Sequence, residues 1–177
     1  MNGDRKPDPM PSADYDTIFQ DLAAQSATPV NPLLIEAPYV GLATFFRLPY
    51  QETLDDLEIA IVGVPYDGGL TGRTGARGGP RAVRDASCLV GGYEHQTRQV
   101  PYVSCRFADI GDVLIHERYS HDAAIAELEA FYRRLVGAGV VPLTCGGDHS
   151  ITYPILKAIG TREPIGLIHF DAHCDTG

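Results

Sequence analysis

Four continuous apolar runs, separated by turns and helix-length segments, constrain this chain more than any other feature. Glu58-Ile59-Ala60-Ile61-Val62-Gly63-Val64 reads as a buried strand that turns at Pro65-Tyr66-Asp67-Gly68-Gly69. Further strands are predicted over residues 103–110, 140–145 and 165–170. Between them, Gly79-Pro80 opens a helix, because proline at a first helical position forfeits no hydrogen bond. Ser120 is a good N-cap for a second helix. Ile125, Leu128, Phe131, Tyr132 and Leu135 follow at helical spacing, up to a stop at Gly137 and Gly139. A third, short helix is predicted over 151–159. Strands alternating with helices imply right-handed crossovers, hence an α/β fold with a mainly parallel sheet. Pro142 costs its strand a ladder hydrogen bond and so predicts an edge position or a strand start.

Residues 1–40 have a different texture. Pro7, Pro9, Pro11, Pro29, Pro32 and Pro38 interrupt any helix except a short one around Tyr15–Ala24, so this segment is expected to be an irregular arm or a cap over a neighbouring subunit. Residues 41–177 then form one domain. The sequence stops at Gly177, directly after a charged cluster on the last predicted strand, and the expectation is a domain truncated there.

Composition excludes several classes. No apolar run approaches the roughly 18 residues that span a bilayer, and Met1-Asn2-Gly3-Asp4-Arg5-Lys6 lacks a secretory signal's apolar region, so no membrane partner and a cytoplasmic location are expected. Cys88, Cys105, Cys145 and Cys174 show no CxxC spacing and read as reduced thiols. A formal charge of -9 argues against nucleic acid as a partner and weakly favours a cationic substrate.

The chemistry concentrates in two clusters. Phe170-Asp171-Ala172-His173-Cys174-Asp175 continues the last strand, where alternate side chains share a face. Asp171, His173 and Asp175 are therefore expected to converge, with Ala172 and Cys174 facing away. Gly146-Gly147-Asp148-His149-Ser150 ends another strand, on the rim where open parallel sheets bind ligands. Carboxylates with imidazoles suit Mn(II) and related ions. The charge count calls for two cations about 3.5 to 4 Å apart sharing a water, which becomes a nucleophile at neutral pH.

These two clusters resemble signature motifs of the ureohydrolases, the family of arginase, agmatinase, guanidinobutyrase, guanidinopropionase and proclavaminate amidinohydrolase. Gly63–Gly69, Arg73–Pro80 and Arg84 resemble the family's N-terminal segment. Thr44-Phe45-Phe46-Arg47-Leu48-Pro49 is similar to the agmatinase-like branch. The resemblance, over about Gly41 to Gly177, implies a three-layer α/β/α arginase-like fold, of which this is the N-terminal part. It implies two Mn2+ per intact subunit. His149, Asp171 and Asp175 would hold one and Asp171 and His173 the other, with Asp171 bridging. Asp175 would also accept a hydrogen bond from the bridging hydroxide that attacks a guanidinium carbon, giving urea and an amine. Asp148 would act beside it by orienting ligands. Tyr66, Asp67, Gly69 and Arg73 would shape the substrate pocket, and a trimer or hexamer is implied. The family's later Asp-x-Asp motif, proton-shuttling histidine and guanidinium-gripping glutamate lie outside this sequence, so the 177 residues alone are expected to be inactive.

Rival readings are a zinc deacetylase-like hydrolase, whose single-metal pattern does not call for Asp175, and a non-catalytic binding subunit. The glycine-rich run 68–75 lacks the Gly-Lys-Ser/Thr ending of a phosphate loop. Arg77 and Arg84 read as structural ion pairs or subunit contacts. His169 reads as a core or ligand-orienting histidine rather than a ligand. His95, His116 and His121 read as exposed, and Cys174 as neither ligand nor nucleophile.

Overall fold

The structure is a computed structural model that describes residues 37–92, 94, 96–97, 99–160 and 163–174. The helix expected around Tyr15–Ala24, most of the N-terminal arm, His95 and Asp175 lie outside the described residues.

Three parallel strands make the sheet: β1 (Ile59–Val64), β2 (Phe107–Asp112) and β3 (Val141–Gly146), in the order β2-β1-β3. Among the described residues the helices are α1 (Gly79–Ser87), α2 (Pro101–Ser104), α3 (His121–Gly137) and α4 (Thr152–Ile159). Strand β1 is central, and its run of apolar residues is what a strand buried on both faces requires. Ala60, Val62 and Val64 pack against Leu128, Tyr132 and Leu135 of α3 and Ala158 of α4. Ile61 points the other way, into a cluster with Phe45, Leu48, Tyr102 and Phe107. Helix α1 contacts the 3-10 turn Phe45–Arg47 and the sheet, so the order of layers is helices, sheet, helices.

The long helix forms as its spacing predicts. Ser120 Oγ accepts from the Ala123 N–H at 3.3 Å, satisfying one of the orphan donors of the first turn. Ser120→Ala is expected to cost about 1 kcal/mol in chemical denaturation, and a variant as stable as the parent would show that the cap is dispensable.

Two strand expectations are corrected. The run over 103–110 is split. Pro101 starts a helical turn whose Tyr102 hydroxyl donates to Phe46 O at 2.8 Å, and the strand begins only at Phe107. A bulge follows where Ile61 pairs with Asp109 but Gly63 with Asp112; Gly111 takes the positive φ of 84° there, which glycine adopts without strain. Residues 165–170 form no strand. An apolar extended segment becomes a strand only when its amides find a ladder, and among the described residues these do not, leaving Leu167 59% and Phe170 93% exposed. Among the described residues Pro142 lies on an edge strand, at its second position. Val141 N–H donates to Glu58 O at 2.9 Å, so by alternation the proline nitrogen faces the open side of β3.

No helix among the described residues is long and apolar enough to cross a membrane.

Candidate metal centre

The tips of β1 and β3 are tied together before any chemistry is placed on them. The Asp148 N–H donates to Tyr66 O at 2.8 Å. The Asp148 carboxylate accepts from the Gly69 N–H at 2.8 Å, the Ser150 N–H at 2.9 Å and the Ser150 hydroxyl. Gly147 is needed for this approach: a Cβ there would fall 2.3 Å from Tyr66 O and 2.6 Å from Val64 O, both backbone atoms that cannot swing away. Asp148 is 5% exposed and caps the 3-10 turn His149–Ile151, which presents the His149 side chain at the rim.

Asp171 is the centre of the second cluster. His149 Nδ1 lies 3.4 Å and His169 Nε2 3.2 Å from its Oδ2; His173 Nδ1 lies 3.3 Å from its Oδ1. The His173 backbone N–H also donates to Oδ1 at 2.8 Å, so Asp171 and His173 meet through a turn held by a side chain, not through strand alternation. That backbone bond, more than the nearby imidazoles, holds the Asp171 carboxyl below the usual carboxylate range. His149, His169 and Asp171 each offer a ligand atom within 4.8 Å of the others'. Asp175 lies outside the described residues.

His169 is exposed, which corrects the reading of it as a core histidine and leaves the ligand-orienting one. Placed inside a strand it reads as a core histidine, yet with the strand unformed it is exposed and turned onto Asp171. The signal available was its shared parity with Asp171.

The pocket residues read from the sequence are placed differently from one another. Tyr66 is buried, and its hydroxyl and His121 Nδ1 share a hydrogen bond at 2.8 Å; burial first, then Asp148 and Asp67, push its pKa up. His121 is exposed as expected, with Tyr66 as an unforeseen neighbour. His116 is likewise exposed but engages Glu127, 3.3 Å away. Arg73 is exposed, with no hydrogen bond or ion pair among the described residues. Asp67 faces its own loop: its carboxylate accepts from Arg77 Nε at 2.7 Å and the Gly75 N–H at 3.0 Å. Arg77 and Arg84 both make ion pairs, as expected.

The Arg77 hydrogen bond, then that of Gly75, holds the Asp67 carboxyl down at about 2. A depressed carboxylate stabilises the fold above its unfolded value of about 4. That contribution fades as pH falls from there toward 2. Arg77→Leu is therefore expected to lower stability above about pH 4, modestly because Arg77 is largely solvated, with the difference from the parent shrinking as pH falls toward 2. An acid limb identical to the parent's would show that the pair carries no such contribution.

With this geometry in place, the similarities to known proteins are direct. Residues 57–177 match the arginase family. Over 138 residues the chain is 44% identical to guanidinopropionase of Pseudomonas aeruginosa, covering 78% of this chain and 43% of that protein. The crystal structure of a hypothetical agmatinase from Burkholderia thailandensis is similar at a TM-score of 0.73 and 36% identity, over 78% of this chain and 44% of that one. Trypanosoma cruzi formiminoglutamase, crystallised with Mn2+, is similar at a TM-score of 0.54 and 26% identity, over 66% of this chain and 38% of that one. The chain thus spans about two-fifths of the length of the curated relative.

Proposed function

Because the chain belongs to the arginase family, we propose that the protein hydrolyses a C–N bond of a linear guanidino compound, releasing urea and an amine. The observation that carries this reading is the approach of His149, at the tip of β3, to within 3.4 Å of Asp171 on a separate segment. Such a rim, at the carboxyl ends of parallel strands, is where open sheets bind ligands.

The proposed cofactor is Mn2+, two per full-length subunit. The donor set fits divalent cations: carboxylate oxygens with imidazole nitrogens. His149 and His173 lie toward opposite oxygens of Asp171, which leaves that carboxylate able to face two ions. Asp175 is the proposed fourth ligand and the proposed hydrogen-bond acceptor for the nucleophile. When bound, the cations supply Lewis acidity, which makes hydroxide available near neutral pH and polarises the guanidinium carbon's substituents. The chain's own part is positional. Asp148 fixes the turn that carries His149. Tyr66 and Asp67 brace the loop that carries the exposed Arg73, so of the three it is Arg73 that is proposed to touch substrate.

Guanidinopropionase and agmatinase relatives differ by name in the charge on the substrate's tail, and the net charge of -9 leans toward a cationic one. A cytoplasmic homo-oligomer, trimer or hexamer, is proposed with this activity.

The test is urea release by the Mn2+-loaded, full-length gene product from a panel of agmatine, 4-guanidinobutyrate, 3-guanidinopropionate, arginine and guanidine. Release from at least one is expected. Turnover of none, with two metals bound per chain, defeats the proposal, and failure to bind metal at all replaces it with a non-catalytic binding subunit.

A further inference from the structure

We propose that His121 is a positioning residue for the reaction given above: through the Tyr66 phenol it holds the glycine-rich loop 68–75 in the conformation that binds substrate. This rests on the reading of Arg73 as a substrate contact, and it brings in a residue of α3, an element outside both metal motifs. Residues 68–75 are all exposed, so burial of their own side chains does not fix them. The loop is instead held at its ends. At the far end, the Gly75 N–H donates to the Asp67 carboxylate at 3.0 Å. At the near end, the Gly69 N–H donates to Asp148 at 2.8 Å. Gly68 lies directly against the Tyr66 ring: a Cβ there would collide with the phenol oxygen and fall 2.5 Å from the ring carbon that bears it. Where the phenol stands therefore sets where Gly68 runs.

Tyr66 is 6% exposed and packs in the core with Val113, Ala124 and Leu128. That packing fixes the body of the ring, whereas the hydroxyl at its tip needs a polar partner. His121 Nδ1 supplies one at 2.8 Å, with the two rings 6.0 Å apart and inclined at 26°. The bond anchors the phenol in either tautomer of the imidazole, since one group donates and the other accepts. His121 is the exposed first residue of α3, and the cap of that helix is made by Ser120. Removing the imidazole therefore leaves the core and the cap in place and takes away the partner of the phenol. A contact path then runs from His121 through Tyr66 to Gly68 and Gly69, where the loop meets Asp148.

Two readouts test the proposal. In the 177-residue chain, trypsin cleavage after Arg73 under native conditions reports opening of the loop, and cleavage after Lys157 in α4 reports unfolding of the whole. His121→Ala is expected to speed cleavage after Arg73 about three- to tenfold, the effect of losing one hydrogen bond, and to leave cleavage after Lys157 unchanged. Tyr66→Phe should do the same, and the double variant should be no faster than either alone. His121→Asn, whose amide takes the place of Nδ1, should restore the parent's rate. In the Mn2+-loaded full-length protein, His121→Ala is expected to raise KM by a similar factor with kcat within about twofold, because loop placement affects binding and not the chemical step. Unchanged cleavage after Arg73, or equal acceleration at both sites, overturns the brace. Faster loop cleavage with an unchanged KM overturns the role in substrate binding. If the full-length parent releases no urea from any guanidino compound, the proposed function falls and takes that role with it, while the cleavage rates still decide whether His121 holds the loop.

Discussion

Asp109→Ala is expected to destabilise the chain by about 3–5 kcal/mol, read as a lowered midpoint in urea unfolding at unchanged slope. Asp109 is 1% exposed on β2 and accepts four hydrogen bonds. They come from the Phe45 N–H at 2.9 Å, the Gly111 N–H at 2.8 Å, and Arg84 Nε and Nη2 at 2.8 and 2.9 Å. The two-pronged Arg84 pair joins α1 to the sheet, and the guanidinium also lies 4.2 Å above the Phe45 ring. Burial works against the charge on Arg84, but the bonds to Asp109 and Asp112 more than compensate, so its pKa lies above the ordinary arginine value. Removing the buried partner leaves a mostly buried cation with only the half-exposed Asp112, and the Phe45 amide with no acceptor. Asp109→Asn should fall between, since it keeps an acceptor but not the charge. A loss below 1 kcal/mol for the alanine variant would mean that water replaces the carboxylate freely, contrary to the burial.

The second large effect is expected at Asp148. Its alanine variant should lose about 1.5–3 kcal/mol, because two backbone amides, those of Gly69 and Ser150, lose a charged acceptor. On the proposed function, metal affinity should fall with it by about 10–100-fold, the usual consequence of removing a group that orients ligands. Asp148→Asn, retaining an acceptor, should recover most of the stability. Stability lost with metal affinity intact would separate the brace from the site and count against Asp148 as the residue that sets His149.

Much of the fold was legible in the sequence because its signals are local. The central strand, the capped helix ending at Gly137, the helix opened by Pro80 and the edge position of Pro142 each follow from a few adjacent residues. What was not legible depended on partners. Nothing in Ile165-Gly166-Leu167-Ile168-His169-Phe170 reveals whether a ladder is present to receive it, and without one the alternation that placed His169 in the core has no basis. The Pro101 turn was hidden by apolar neighbours that suit either state. At the rim, Gly146-Gly147-Asp148-His149-Ser150 and Asp171-Ala172-His173 named the groups that the structure brings together, since short glycine-rich strand ends permit close approach. The engagement of Asp67 with Arg77, and of Tyr66 with His121, was not legible, because such pairs depend on which way a side chain turns after the backbone is set.

The parallel arrangement around β1 also bears on how the chain is made. Ile59 pairs with Phe107 on one side and Val141 on the other, so of the three described strands the first to leave the ribosome is the last to be enclosed. Until Gly146 has emerged, Ile61 and Val62 have no complete sheet to enter. During that interval the nascent polypeptide offers its most apolar segment to chaperones or to other copies of itself, and slower translation beyond Asp112 should prolong the exposure.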